Sequence, residues 1–214
     1  MFKQLIIISL FLSTLSAIEI TQKPITFTPH RKALTLEYIQ THYGLNPSDI
    51  NITPRVIVLH YTAIDTLEGS FDAFDAENLP SSRSDIGSTQ ESANVSVPYL
   101  IDKDGTIYQL MAENQMGRHV IGLNYSSIGI ENVGHLNTLT PQQLQANIAL
   151  IHYLKAKYPS IDYLIPHSDY TCMESTSLWL ERDKGYRTHK EDPGEAFMQK
   201  IYQALPNFKR APCP

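Results

Sequence analysis

Positive charge is scarce in this sequence, and no stretch of it is strongly basic. Charged side chains make up 18 % of the 214 residues, and 22 aspartates and glutamates outnumber 17 lysines and arginines. The formal net charge is −5. Binding to nucleic acid through a broad surface needs a basic face that displaces counterions from phosphates. We therefore expect no nucleic-acid partner.

Long apolar runs are also scarce. One run, from Leu5 to Leu12, follows Lys3 and is followed by small residues that end at Ala17. A basic start, a short apolar core and a small-residue exit are the pattern of a secretory signal peptide. The alternative is a retained membrane anchor, but a spanning helix needs roughly 20 apolar residues. We predict that residues 1–17 are a signal peptide, that the mature protein does not span a membrane, and that it is periplasmic or secreted.

Cysteine is limited to two residues, Cys172 and Cys213. An exported protein can keep such a pair as a disulfide, which would tie the C-terminal tail to the segment after His167. A pair alone does not establish the bond, so two free thiols remain the alternative.

Internal repeats are absent, and the length fits one domain with a small appendage. The hydrophobic content of 42 % is sufficient for a buried core. We predict an N-terminal lead-in over 18–50, the main domain over 51–210 and a short tail over 211–214, and we expect a monomer. The Ser-rich segment 81–92 predicts a mobile surface loop.

Strand and helix patterns alternate along the chain, which predicts an α/β fold with a mixed central β-sheet flanked by helices. The predicted strands are 55–60, 97–102, 106–111, 128–133 and 163–166, and the second and third form a hairpin. The predicted helices are 34–43, 67–77, one that starts after Thr140 and one over 192–205.

Two of these helices carry clear start signals. Thr140 as N-cap, Pro141 in the first turn and Gln143 form a capping box. The following apolar residues recur at helical spacing and predict the buried face; they are Leu144, Ile148, Ile151 and Leu154. Before the last helix, the sequence of 192–195 reads as an N-cap Asp192, a first-turn proline and a capping glutamate.

Two histidines and an aspartate stand out as candidate metal ligands. His60 and His167 each follow an apolar strand, and Asp192 lies just before the last helix. Binding sites gather at the ends of strands in α/β sheets, and two imidazoles with one carboxylate form an established catalytic zinc set. Each residue also has an ordinary explanation, because strand-end histidines are commonly structural and Asp192 fits a helix cap. On these residues alone both interpretations stand.

Four blocks of the sequence resemble the zinc-dependent N-acetylmuramoyl-L-alanine amidases related to peptidoglycan recognition proteins. They occur in the family's order, and each is a weak match when taken alone. The blocks are His60–Ala63, Val95–Ile101, Ser127–Glu131, and His167–Asp169 together with Lys190–Phe197.

The resemblance assigns roles to individual residues. It implies that His60, His167 and Asp192 bind Zn²⁺, that Glu131 is a general base and that Lys190 stabilises developing negative charge. It also implies a set of substrate-binding residues, namely Tyr61, Thr62, Tyr99, His119 and Asn132. A zinc-bound water ionises near pH 7, which suits hydrolysis.

The implied function is hydrolysis of the amide between N-acetylmuramic acid, intact or in the 1,6-anhydro form, and L-alanine, with peptidoglycan or muropeptides as the partner. One alternative is a module that binds wall fragments without cleaving them. Another is a cysteine peptidase that uses Cys172, although no local nucleophile signature surrounds it. Two departures from the family are Pro98, where His or Asn is usual, and a longer segment over 168–189, which predicts either a wall or lid of the cleft or a surface loop.

Overall fold

A computed structural model describes residues 18–81, 83, 86 and 92–214. The predicted signal peptide, 1–17, lies outside the described residues, as does most of the Ser-rich segment 81–92. Among the helices that are described, none has the length and apolar character required to cross a membrane.

The centre of the molecule is a six-stranded mixed sheet in the order β1-β4-β3-β5-β2-β6. Neighbouring strands are parallel, apart from the antiparallel hairpin of β3 and β4. The prediction of a mixed sheet flanked by helices is therefore confirmed. The strands are β1 (Thr21–Gln22), β2 (Val56–Tyr61), β3 (Tyr99–Ile101), β4 (Ile107–Gln109), β5 (Ser127–Asn132) and β6 (Tyr163–Pro166).

The helices cover the sheet and frame its carboxyl edge. They are α1 (Pro29–Tyr38), α2 (Leu67–Asp75), α3 (Pro141–Lys157) and α4 (Glu195–Ala204), with 3₁₀ segments at Asn124–Ser126 and His167–Ser175. The helix predicted over 34–43 starts earlier, because Thr28 caps it and Pro29 occupies its first turn. It ends in a π-helical turn, Ile39–Tyr43, closed by Gly44 at φ 66°.

Helix α3 starts with the predicted capping box of Thr140 and Gln143. Its buried face differs from the prediction, since Leu144 and Ile148 are only partly buried. The residues that face the sheet are Gln143, Ala146, Asn147, Leu150, Ile151 and Leu154. The two amides belong there because they donate hydrogen bonds to groups at the strand ends; Gln143 Nε2, for example, reaches the carbonyls of Ile101 and Val133.

The start of α4 corrects the predicted cap. The helix begins at Glu195, and its N-cap is Gly194, whose carbonyl accepts from the backbone N–H of Met198. Asp192 therefore lies outside the first turn, and its carboxylate is directed at two histidine rings instead. The sequence around Asp192 has the pattern of an N-cap, but its carboxylate contacts His60 and His167 and does not cap the helix.

The two ends of the described chain are attached to the sheet. Residues Thr21–Gln22 extend it beside β4, and Tyr38 at the end of α1 is buried. Cys172 and Cys213 form a disulfide across 41 residues, which joins the C-terminal tail to the 3₁₀ segment after His167. Of the two alternatives for the cysteines, the structure has the bonded one.

Candidate metal centre and cleft

The register of the sheet places His60 and Glu131 side by side. His60 at the end of β2 is paired with Glu131 of β5, and Glu131 is paired in turn with Leu100 of β3. Because alternate strand residues point to opposite faces, His60 lies on the same face as Val58, and Leu59 lies on the face covered by α3. The carboxyl edge of this face holds the candidate site.

The three predicted ligands converge at that edge. His60 Nδ1 lies 3.0 Å from His167 Nδ1, and Asp192 Oδ2 lies 3.2 Å from the first nitrogen and 3.0 Å from the second. The backbone supports this approach, since the amide of Ser168 donates to the carbonyl of Asp192. Residues that are far apart in the sequence therefore form one cluster of possible metal ligands.

The cluster fits a zinc ion in both donor type and spacing. Two imidazole nitrogens and a carboxylate oxygen are a set that catalytic zinc sites use. Ligand atoms held about 2.0–2.1 Å from zinc at tetrahedral angles lie about 3.3 Å from one another. The observed separations of 3.0–3.2 Å are close to that value.

The electrostatics of the cluster also suit a cation. Burial, and then the neighbouring His167, lower the pKa of His60 to about 4, which leaves this ring neutral at pH 7 with a lone pair to share. Burial alone would raise the pKa of Asp192, but His167 and His60 lower it below its usual range through charge and hydrogen bonds. The result is an ionised carboxylate beside a neutral imidazole.

Glu131 carries the other perturbed carboxyl group of the site. Its side chain is 9 % exposed, and Oε2 has no hydrogen-bond partner among the described residues. Burial, and then the charge of Asp192, raise the pKa of Glu131 well above its usual range, while Lys190 and Arg83 oppose the shift. A carboxyl group with a raised pKa and one oxygen without a hydrogen-bond partner is suited to accept a proton.

A cleft of about 410 Å³ opens over these groups. All three candidate ligands line it, and so do the other predicted residues Glu131, Lys190, Tyr61, Thr62 and His119. Part of the long segment 168–189 forms one side of the cleft, through Tyr186, Thr188 and His189. Of the alternatives predicted for this segment, the structure therefore favours a wall of the cleft, at least for the part nearest the candidate ligands.

Two predicted substrate-binding residues are not at the cleft. Tyr99 is 1 % exposed and packs in the core beneath α3, and Asn132 is fully buried. Both follow the alternation of their strands, since Tyr99 pairs with Ile130 on the α3 face and Asn132 follows Glu131 by one residue. Asn132 Nδ2 donates to the carbonyl of His60, so it stabilises the backbone of this candidate ligand from the α3 face of the sheet.

Residues that the sequence did not single out complete the cleft. Arg118 and Tyr38 line it, and the Arg118 guanidinium carbon lies 4.9 Å from the Tyr38 ring centre. Arg118 donates to the carbonyls of Ala93 and Ile86 and to the hydroxyl of Tyr186. Its position directly before His119 was the one available signal.

Comparison with known proteins adds a family match and several related structures. The sequence model of the family described as N-acetylmuramoyl-L-alanine amidase matches residues 50–195. An endolysin of Enterobacteria phage K11 is 29 % identical over 96 residues, which are 42 % of this chain and 63 % of the endolysin. The match thus spans less than two thirds of that relative.

Two solved structures share the fold. N-acetylmuramoyl-L-alanine amidase LysC from Clostridium intestinale URNW is 27 % identical with a TM-score of 0.54, and the alignment covers 90 % of this chain and 99 % of LysC. The human peptidoglycan recognition protein PGRP-IBETAC, in complex with glycosamyl muramyl pentapeptide, is 20 % identical with a TM-score of 0.51, over 75 % of this chain and 88 % of its own. At that identity the second likeness concerns the fold alone.

Proposed function

The chain belongs to the N-acetylmuramoyl-L-alanine amidase family, and from this membership we propose that it hydrolyses the amide between N-acetylmuramic acid and L-alanine in peptidoglycan, with zinc bound by His60, His167 and Asp192. The observation that carries the proposal is the convergence of two Nδ1 atoms and one carboxylate oxygen within 3.0–3.2 Å of one another. The cluster opens into a cleft that also contains the Glu131 carboxyl group, whose Oε2 has no hydrogen-bond partner among the described residues.

Glu131 has the properties of the general base in this reaction. When bound, zinc supplies Lewis acidity that polarises the scissile carbonyl and makes water more acidic near neutral pH. Glu131 takes the proton from the attacking water and delivers it to the nitrogen of L-alanine as the amide bond breaks. The remaining proton of the water also ends on the amine at neutral pH, so the products are the lactyl carboxylate of the sugar and a free peptide ammonium group. The raised pKa of Glu131 suits both steps, because the same group must accept and then release one proton.

Lys190 is the group we propose for stabilising the negative charge that develops on the carbonyl oxygen. It lines the cleft two residues before Asp192. Its positive charge acts to lower the pKa of both Glu131 and His60. An ammonium fixed where charge develops stabilises the transition state more than the substrate. Tyr61 and Thr62 line the same cleft and are the proposed substrate contacts from the end of β2.

We propose an extracytoplasmic role in wall turnover or degradation, which rests on the predicted signal peptide over 1–17. Peptidoglycan lies outside the cytoplasmic membrane, so export would bring the enzyme to its substrate.

The domain limits 51–210 and 211–214 stay predictions. Tyr38 lines the cleft, which indicates that residues before 51 contribute to the site.

The experiment that tests this function is digestion of purified sacculi and of anhydro-muropeptides, side by side, with product masses read by mass spectrometry. We expect stem peptides with a free L-alanine amine and sugar chains without peptide. A strong chelator should abolish the release, and added zinc should restore it. Release that is undiminished by the chelator would contradict the zinc mechanism, and products cut elsewhere would contradict the proposed bond.

A further inference from the structure

His60 is held from both sides of its ring. Its Nδ1 faces His167 and Asp192, and its Nε2 lies 3.0 Å from Nδ1 of His119. The two rings are almost perpendicular, at 88°, with centres 5.1 Å apart. His119, predicted from the sequence to bind substrate, therefore has one of its two nitrogens committed to a candidate metal ligand.

The other nitrogen of His119 also has a partner. His119 Nε2 lies 3.3 Å from Oγ of Ser127, the first residue of β5. The result is a continuous row of polar contacts, from the metal cluster through His60 and His119 to a serine hydroxyl. All of these side chains are buried.

The backbone around His119 fixes the position of its ring. The side-chain oxygen of Asn124 accepts hydrogen bonds from the amides of His119 and Val120, both at 2.8 Å. Beneath the ring, Gly129 leaves the space that a side chain would occupy, since a Cβ there would lie 2.8 Å from His119 Cγ and Nδ1. A glycine in the middle of a strand is explained by this close approach.

The row of contacts permits one proton arrangement when His60 binds a metal. Coordination uses the lone pair of Nδ1, so the proton of the neutral ring is on Nε2. That N–H donates to His119 Nδ1, which must then be an unprotonated acceptor. The proton of His119 is consequently on Nε2, where Ser127 Oγ accepts it. A hydroxyl can accept or donate, so Ser127 terminates the row without an unpaired group.

We propose that His119 is a positioning residue that holds His60 in its metal-binding tautomer and orientation, and that Ser127 fixes the tautomer of His119. The inference rests on the proposed zinc amidase function. Hydrogen-bond partners of metal-bound histidines commonly contribute about 10- to 100-fold to metal affinity. A carboxylate or a carbonyl is the usual partner, whereas here a second imidazole takes that role and a serine contacts that imidazole.

The test is zinc affinity, measured by competition with a chromogenic chelator on the mature protein with its disulfide intact. We expect His119→Leu, which removes the acceptor, to weaken zinc binding about 10- to 100-fold. His119→Asn places an amide oxygen near the former Nδ1 and should restore most of the affinity. Ser127→Ala should give a smaller loss than His119→Leu. His152→Leu, which alters an exposed histidine of α3, is the matched control and should leave affinity unchanged.

The outcomes separate this inference from the proposed function. If wild type binds zinc tightly and His119→Leu binds it equally well, the positioning role is wrong and the amidase proposal stands. If wild type binds no zinc, both fail. Should His119→Leu not fold, nitrogen-15 spectra of the imidazoles in zinc-loaded wild type decide the matter. We expect the His119 proton on Nε2, and a proton on Nδ1 would overturn the proposal.

Discussion

The two faces of strand β5 use polar residues in different ways. On the cleft face, Glu131 lies beside the candidate ligand His60, Ser127 contacts His119, and Glu131 Oε2 lacks a partner among the described residues. On the α3 face, Asn132 donates to the carbonyl of His60 and accepts from Asn147 Nδ2 at 2.7 Å. The cleft face holds a buried carboxyl group that is available for proton transfer. On the other face, hydrogen bonds link the ends of β2 and β5 to helix α3. Residues one position apart along a strand can therefore differ in role, because strand geometry puts their side chains on opposite faces of the sheet.

The largest effect should come from removing the carboxyl group of the cleft face. Glu131→Gln keeps the shape of the side chain and eliminates the proposed base, so turnover should fall about 10²- to 10⁴-fold. Zinc affinity should persist, because the ligand cluster is untouched. Rates of peptide release and zinc competition on the same preparation measure both quantities. Turnover close to that of wild type would mean that Glu131 is not the general base.

The same substitution should stabilise the metal-free protein at neutral pH. Burial raises the pKa of Glu131 in the folded state, whereas the unfolded chain ionises near the ordinary value of about 4.3. As the pH rises above that value, ionisation favours the unfolded wild type and not the variant. Urea unfolding should therefore show similar stabilities near about pH 4 and a more stable variant near about pH 7. A variant that is less stable at neutral pH would contradict the assigned environment.

The next effect concerns the third candidate ligand. Asp192→Asn should weaken zinc binding by more than the roughly 100-fold upper range of outer-shell changes. Helix α4 should be unaffected, because Gly194 and not Asp192 is its N-cap. Glu191→Gln is the matched control, since Glu191 is the adjacent exposed carboxylate and contacts Tyr61. Equal zinc affinities of the two variants would mean that Asp192 is not a ligand.

A substitution on the α3 face of β5 should change the stability of the protein more than its activity. Asn132→Ala removes two buried hydrogen bonds and leaves their partners unpaired, so the free energy of unfolding should fall by about 1–3 kcal/mol. Activity per folded molecule should change far less than in Glu131→Gln. Denaturant unfolding and active-site-normalised rates are the measurements. A large loss of turnover with unchanged stability would place Asn132 in the chemistry.

The smallest effect should come from Tyr99→Phe. Tyr99 is 1 % exposed, and burial, followed by the charge of Glu113, raises the pKa of its hydroxyl. Loss of this buried hydroxyl should reduce stability by about 0.5–1.5 kcal/mol and leave KM unchanged. Tyr61→Phe serves as the comparison, because Tyr61 lines the cleft and its hydroxyl donates to Glu191. A raised KM for Tyr99→Phe would restore the substrate-binding role that the sequence suggested.

Much of the fold could be predicted because local signals were strong. The capping box of Thr140 and the hairpin over 97–111 are encoded within a few residues. The start of α4 was not, because a cap pattern does not reveal whether its aspartate is used elsewhere. The disulfide between Cys172 and Cys213 stayed open, since no local rule joins residues 41 apart.

The candidate site divides in the same way. The ligands could be proposed because His60 and His167 end apolar strands and lie in recognisable blocks. Tyr99 lies in such a block and Asn132 directly follows one. Alternation from Glu131 would have put Asn132 on the opposite face, whereas the face of Tyr99 follows from its pairing with Ile130. The contact between His119 and His60 joins residues 59 apart and depends on the space at Gly129, so only the folded structure reveals it.

Zinc-driven amide hydrolysis at His60, His167 and Asp192 can be tested by titrating metal-free protein with zinc while peptide release is measured. For zinc-driven hydrolysis we expect negligible activity without metal, a linear rise up to one equivalent per chain and a plateau beyond it. Full activity in the metal-free protein, or no response to the first equivalent, would contradict it.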